Sequence, residues 1–137
     1  MRPKPRANVR RDLLVELTII GAIVLLVLGG CQQAGDPGDV TLKYLQARVA
    51  NDVTTIRDLS CAAWEGQAEA EAASFRSMQA TLDNVSCKQS GTDGDATLVT
   101  CTGNIVTSYD GENTPRPIPV YRMTQEDGQW KVCGEGK

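Results

Sequence analysis

The sequence predicts an α+β domain: two N-terminal helices packed on a curved four-stranded antiparallel sheet and held by two disulfides. Three observations carry that prediction. Apolar residues between positions 40 and 78 recur in three- and four-residue steps, the period of a helix. From Leu82 onward, Thr- and Val-rich stretches alternate with Gly/Asp turns, the pattern of strands and hairpins. Four cysteines, Cys61, Cys87, Cys101 and Cys133, are spread over both halves. Helices first and strands after give segregated layers, with the helices on one sheet face.

Residues 1–30 have a different character. Arg2, Lys4, Arg6, Arg10 and Arg11 face only Asp12 and Glu16, so this region carries +3. An apolar core, Leu17 to Leu28, follows. It is long enough for a signal-peptide core and short of the ~20 residues that span a bilayer. Gly29 and Gly30 then leave room for a peptidase. Leu28-Gly29-Gly30-Cys31 matches all four positions of the lipobox, so the chain resembles a bacterial lipoprotein precursor. The resemblance implies cleavage between Gly30 and Cys31, a diacylglyceryl thioether on the Cys31 thiol and a further acyl chain on its new amino group. One chain holds a protein to a bilayer only marginally, whereas two or three anchor it stably. An uncleaved transmembrane anchor is the alternative. Either reading keeps the positive end inside and exports the rest to the extracytoplasmic side of the cell membrane or outer membrane. Arg10-Arg11 also resembles a twin-arginine export signal.

Without its leader the chain is acidic. Nine Lys and Arg against 15 Asp and Glu leave residues 31–137 at −6. Such a domain is a poor partner for nucleic acid. In an exported domain of about 100 residues, four cysteines predict two disulfides. Three pairings exist. The Gly-rich turn between Cys87 and Cys101 favours a hairpin bridge there, which leaves Cys61–Cys133. The chain has no His and no CxxC pair, so no metal site or cofactor is expected. With one Phe, two Trp and three Tyr the core is light, and the staples compensate.

The elements follow in order. Gln32 to Asp39 reads as a polar tether reaching roughly 15 Å, so the domain is expected over 40–137. Asp39 is the predicted cap of a helix from Val40, with Leu42, Leu45, Val49, Val53 and Ile56 on one face. Asn51-Asp52 breaks or kinks it. Ser60 is the predicted cap of a second helix, Cys61 to about Met78, facing inward with Trp64, Ala68, Glu71 or Ala72, Phe75 and Met78. Leu82 to Gln89 reads as the first strand and Ser90 to Asp95 as a turn. Ala96 to Ser108 is a long strand in which Gly103 marks a bulge or bend. Asp110 to Asn113 turns again. Arg116-Pro117-Ile118-Pro119 predicts an edge or ragged strand start, because proline cannot donate to a ladder. Val120 to Thr124, a tight turn at Glu126-Asp127-Gly128, and Gln129 to Cys133 complete the sheet. Asn84-Val85-Ser86 is a formal glycosylation sequon, read as chance behind a bacterial lipobox.

Two helices followed by a meander ending in Gly128, Trp130, Lys131 and Val132 resemble small members of the nuclear-transport-factor-2-like superfamily over about residues 40–134. The resemblance implies a cone, a helix wrapped in a bent sheet, often with an apolar pocket. Some members are isomerase-like or dehydratase-like enzymes that use Asp, His or Tyr inside the cone. Here Asp83, Asp110, Tyr44, Tyr109 and Tyr121 are the remaining candidates. Asp110 reads more simply as a turn residue. Trp64, Tyr44, Tyr121 and Trp130 are candidate pocket-lining residues, with core packing the plainer role.

No catalytic residue is assigned. The leading expectation is a membrane-anchored exported lipoprotein whose domain binds a small apolar ligand or an envelope protein without catalysis. An isomerase- or dehydratase-like enzyme with a buried Asp base is one alternative. A structural module that forms a homodimer, on an uncleaved anchor, is the other.

Overall fold

A computed structural model describes residues 35–137. The signal-peptide stretch, the cleavage position at Gly30 and the lipid-acceptor Cys31 lie outside the described residues. No helix among the described residues is long and apolar enough to cross a membrane.

Three helices precede five strands. Helix α1 spans Pro37–Val49. Its cap is Asp36, not Asp39, so the last residues read as tether are helical. The Asp36 carboxylate accepts from the Gly38 and Asp39 amides at 2.7 and 3.3 Å, and Pro37 occupies the first turn where no amide is needed. The buried stripe is Thr41, Tyr44, Leu45 and Ala47, while Leu42 and Val49 are only half-buried. The helix is thus rotated from its all-aliphatic face. Thr41 can turn inward because its hydroxyl donates to the Pro37 carbonyl at 2.8 Å.

The Asn51-Asp52 signal is a break. Asn51 is left-handed at φ 54°. Asp52 then caps a separate helix, α2, Val53–Leu59, accepting from the Thr55 amide at 3.1 Å and its hydroxyl at 2.7 Å. The single first helix of the sequence reading is therefore two. Ser60 does not cap the next helix: it forms a bridge to Val132, and the Cys61 amide donates to the Val132 carbonyl at 2.9 Å. Helix α3 spans Glu65–Ala73, shorter at both ends than expected. Tethering at Cys61 delays its start. Tight turns from Ser74 to Met78 end it and lead the chain into the sheet.

All sheet pairings are antiparallel. Strand β1 is Gln79–Asp93 and β2 is Ala96–Tyr109. Strand β1 is longer than expected at both ends and takes in Ser90 to Asp93, because only Gly94 and Asp95 are needed to turn; β2 starts at Ala96 as expected and runs one residue past Ser108. Strand β3, Glu112–Pro117, pairs with the far half of β2 and makes the sheet five-stranded. It includes Glu112 and Asn113 of the predicted turn and ends at the predicted Pro117 interruption. Strands β4, Tyr121–Glu126, and β5, Gln129–Glu135, follow. The order is β1-β2-β4-β5, with β3 beside β4 on the same side of β2. Asp110-Gly111 and Asp127-Gly128 adopt positive φ in two-residue hairpin turns.

Gly103 sits opposite the register shift between Asp83 and Ser86, at φ 87°. A Cβ there would lie 2.5 Å from the Asp83 carbonyl oxygen and 2.6 Å from that of Asn84. Glycine is required, and the bulge bends the strands that carry it.

Cys87 pairs with Cys101 directly across β1 and β2, Cα atoms 4.0 Å apart. Cys61 pairs with Cys133, joining the helical half to the last strand at 5.3 Å. The core between helices and sheet is Tyr44, Leu45, Ile56, Val99, Ile105, Tyr121, Met123 and Val132, with Ala68 and Ala72 letting α3 approach closely.

Candidate binding site

The interior of the domain is not uniformly apolar. Tyr44 on α1 and Tyr121 at the start of β4 are fully buried, with rings edge to face and centroids 5.5 Å apart. Each hydroxyl has found a partner, as buried phenols require. Trp64 Nε1 donates to the Tyr44 hydroxyl at 3.2 Å, and Arg48 Nη1 donates to the Tyr121 hydroxyl at 2.8 Å. Burial pushes the Tyr44 phenol up to about 12, against a smaller lowering by the Trp64 hydrogen bond. Burial drives Tyr121 up as well. Both tyrosines are therefore neutral donors and acceptors at ordinary pH, not bases.

Arg48 organises the rest of this network. One helical turn beyond Tyr44, it lies on the same inward stripe. Its Nη2 is 3.4 Å from Glu71 Oε2 on α3, and both side chains are 13% exposed. Its guanidinium carbon stands 5.6 Å from the centroid of the Phe75 ring. Arg48 Nε and Glu71 Oε2 are buried without a hydrogen-bond partner among the described residues. A charged pair this deep gains little net stability over well-packed apolar residues, because desolvation offsets much of its attraction.

Above this network lies a recess of about 280 Å³ lined by Arg48, Ser74, Phe75, Met78, Thr107 and Arg116. Three constraints build it. The tight turns after α3 bring Phe75 and Met78 over the sheet. Thr107 enters from the far half of β2, its hydroxyl donating to the Thr114 carbonyl at 3.3 Å. Arg116 projects from β3 between Pro115 and Pro117, whose fixed φ angles hold that backbone stiff. A second cleft shares Met78 and adds Arg76 and Tyr109 at its rim. Tyr109 is the exposed large apolar side chain of the domain, at 66%.

The sequence candidates fall apart in space. Tyr44, Tyr121 and Trp64 meet, but behind the recess and not on its wall. Trp130 is half-buried on β5 opposite Gln125 and packs on the core away from the recess. Asp83 is exposed at the bulge and Asp110 in a hairpin turn, so neither is a buried base. The side chains that face the recess are ones passed over as sites. Arg48 carried no signal, because the apolar spacing puts Leu42, Leu45 and Val49 on the inner face and not Tyr44. Arg116 carried one, between two prolines. Near the Cys61–Cys133 bridge the Glu126 carboxylate lies within 4.8 Å of both sulfurs, but paired sulfurs offer no thiolate to a metal.

No family model, no curated protein and no solved structure matches this chain.

Proposed function

We propose that the chain is an exported, lipid-anchored protein whose domain holds a small ligand in the recess between the turns after α3 and strands β2 and β3. The anchor rests on the leader and on Leu28-Gly29-Gly30-Cys31. The binding role rests on one observation: a recess of about 280 Å³ over a buried network in which Arg48 is hydrogen-bonded to Tyr121 and ion-paired with Glu71. Binding sites combine apolar walls with a few convergent polar groups held in place from behind. Here Phe75 and Met78 supply the walls, while Tyr121 and Glu71 fix Arg48. The order of helices and strands also fits the nuclear-transport-factor-2-like cone, a scaffold that places pockets between helix and sheet.

Two experiments test the two halves. Cys31→Ser should abolish incorporation of labelled fatty acid and block maturation of the precursor; normal cleavage and membrane localisation of that variant would refute the anchor. For the domain, the unfolding midpoint of the full chain is measured against a panel of small organic compounds. A ligand at 100 times its Kd stabilises by about 2.7 kcal/mol, a shift of several degrees. A panel-wide absence of shifts speaks against binding, and turnover of any compound would favour the enzyme alternative.

A further inference from the structure

The charges around the recess select among ligands. We propose that it takes a monoanion with a compact apolar body, such as an aryl- or alkyl-carboxylate, with Arg48 and Arg116 on its acid group and Phe75 and Met78 on its body. This rests on the reading of the recess as a ligand site and adds the ligand's chemical class.

Two guanidiniums line the recess, and a single carboxylate, Glu71, is paired with either of them among the described residues. Arg116 has no ion-pair partner there. The recess therefore has one uncompensated positive charge, in a domain whose overall charge is −6. The neighbouring cleft carries Arg76, outside any ion pair among the described residues, but Asp110 on the same lining balances its charge, so the excess positive charge belongs to the recess. An opening with net positive charge on an acidic domain attracts anions to it. Guanidinium is also the cation that pairs with a planar carboxylate through two parallel hydrogen bonds.

The remaining walls set size and polarity. A recess of about 280 Å³ has room for roughly nine water-sized groups, the small end of ligand sites. Phe75 and Met78 are apolar, and a thioether adapts to aromatic or aliphatic shapes. The Ser74 hydroxyl is committed to the Glu71 carbonyl at 2.6 Å and that of Thr107 to Thr114, so neither is a free donor. The anion-binding donors are the two arginines.

Titration calorimetry of the full chain in detergent micelles, with phenylacetate, its neutral isostere phenylacetamide and inorganic phosphate, tests this. Phenylacetate should bind at least about tenfold more tightly than either of the others. Arg116→Gln should lose about tenfold in phenylacetate affinity, and Arg116→Lys should lose much less. Arg116 is exposed on an edge strand, so these variants keep the fold. Equal binding of the amide, or an unchanged affinity in Arg116→Gln, overturns the anionic class while leaving a ligand site standing. Equal binding of phosphate overturns the apolar body. Binding of none of the three overturns the inference, and the broader panel then decides whether the recess binds anything.

Discussion

Replacing Arg48 with Met removes three contacts at once: the 2.8 Å hydrogen bond to the Tyr121 hydroxyl, the Glu71 ion pair and the stacking over Phe75. A hydrogen bond involving a charged group contributes about 1.5–3 kcal/mol. Stranding one partner of a fully buried pair costs about 3–5 kcal/mol. Both side chains here keep 13% exposure, so water relieves part of that penalty. Arg48→Met is expected to cost about 3 kcal/mol, a large share of the 5–15 kcal/mol typical of a domain. Glu71→Gln keeps the shape and loses the charge, and should cost about 1–2 kcal/mol. The double variant leaves no stranded charge. It should be about 1–2 kcal/mol more stable than the sum of the single losses predicts. Urea unfolding of the four proteins, followed by tryptophan fluorescence, measures the cycle, provided the m-values agree. Additivity within about 0.5 kcal/mol would show that Arg48 and Glu71 act independently, and the network account of the site would be wrong.

Three further outcomes follow from the same geometry. Removing Cys87–Cys101 with a Cys87→Ala, Cys101→Ala pair should cost about 3 kcal/mol and removing Cys61–Cys133 about 4 kcal/mol, because the second closes the longer loop, 72 residues apart against 14; equal midpoints in thermal unfolding would contradict this. Gly103→Ala should destabilise by about 2 kcal/mol or more, since φ is 87° and the added carbon meets two carbonyl oxygens, whereas Gly91→Ala, with open space and no positive φ, should change little. On the alkaline side, Tyr44 is raised from 10.0 to about 12, so the unfolded phenol ionises before the native one. Its contribution is fully present below pH 10 and is lost between pH 10 and 12, at up to about 1.4 kcal/mol per pH unit. Tyr44→Phe should flatten that slope in urea titrations across the window, and an unchanged slope would show that Tyr44 is not the group responsible.

The parts of the fold legible in the sequence are those written in local chemistry. Gly-Asp turns, the Gly103 bulge and the proline-marked interruption of the sheet each follow from backbone geometry that few residues adopt. The hairpin disulfide was legible because a turn lay between its cysteines. The helix boundaries were not legible, because distant contacts override local preference: Asp36 and Asp39 are equally good caps, and Cys61 is taken by Val132 on the last strand. The orientation of α1 was hidden for a related reason. An apolar count favours Leu42 and Val49 as the inner face, but Thr41 satisfies its own hydroxyl and Arg48 finds Tyr121 and Glu71, partners 73 and 23 positions away in sequence. The candidate site depends on those pairings. Its walls come from α1, the turns after α3, and strands β2 and β3, which no periodicity brings together.

The central claim is that a ligand occupies the recess beside Met78. The chain has three methionines: Met1, Met78 and Met123. Met78 lines the recess, while Met123 is fully buried with its sulfur 3.4 Å from the Thr41 hydroxyl oxygen. Methyl-labelled methionine therefore places a reporter in the recess and a control in the core. Titration with phenylacetate, read by methyl NMR of the full chain, should move the Met78 resonance saturably and leave Met123 in place. A Met78 signal unmoved through the titration, or equal shifts at all three methyls, would contradict the account.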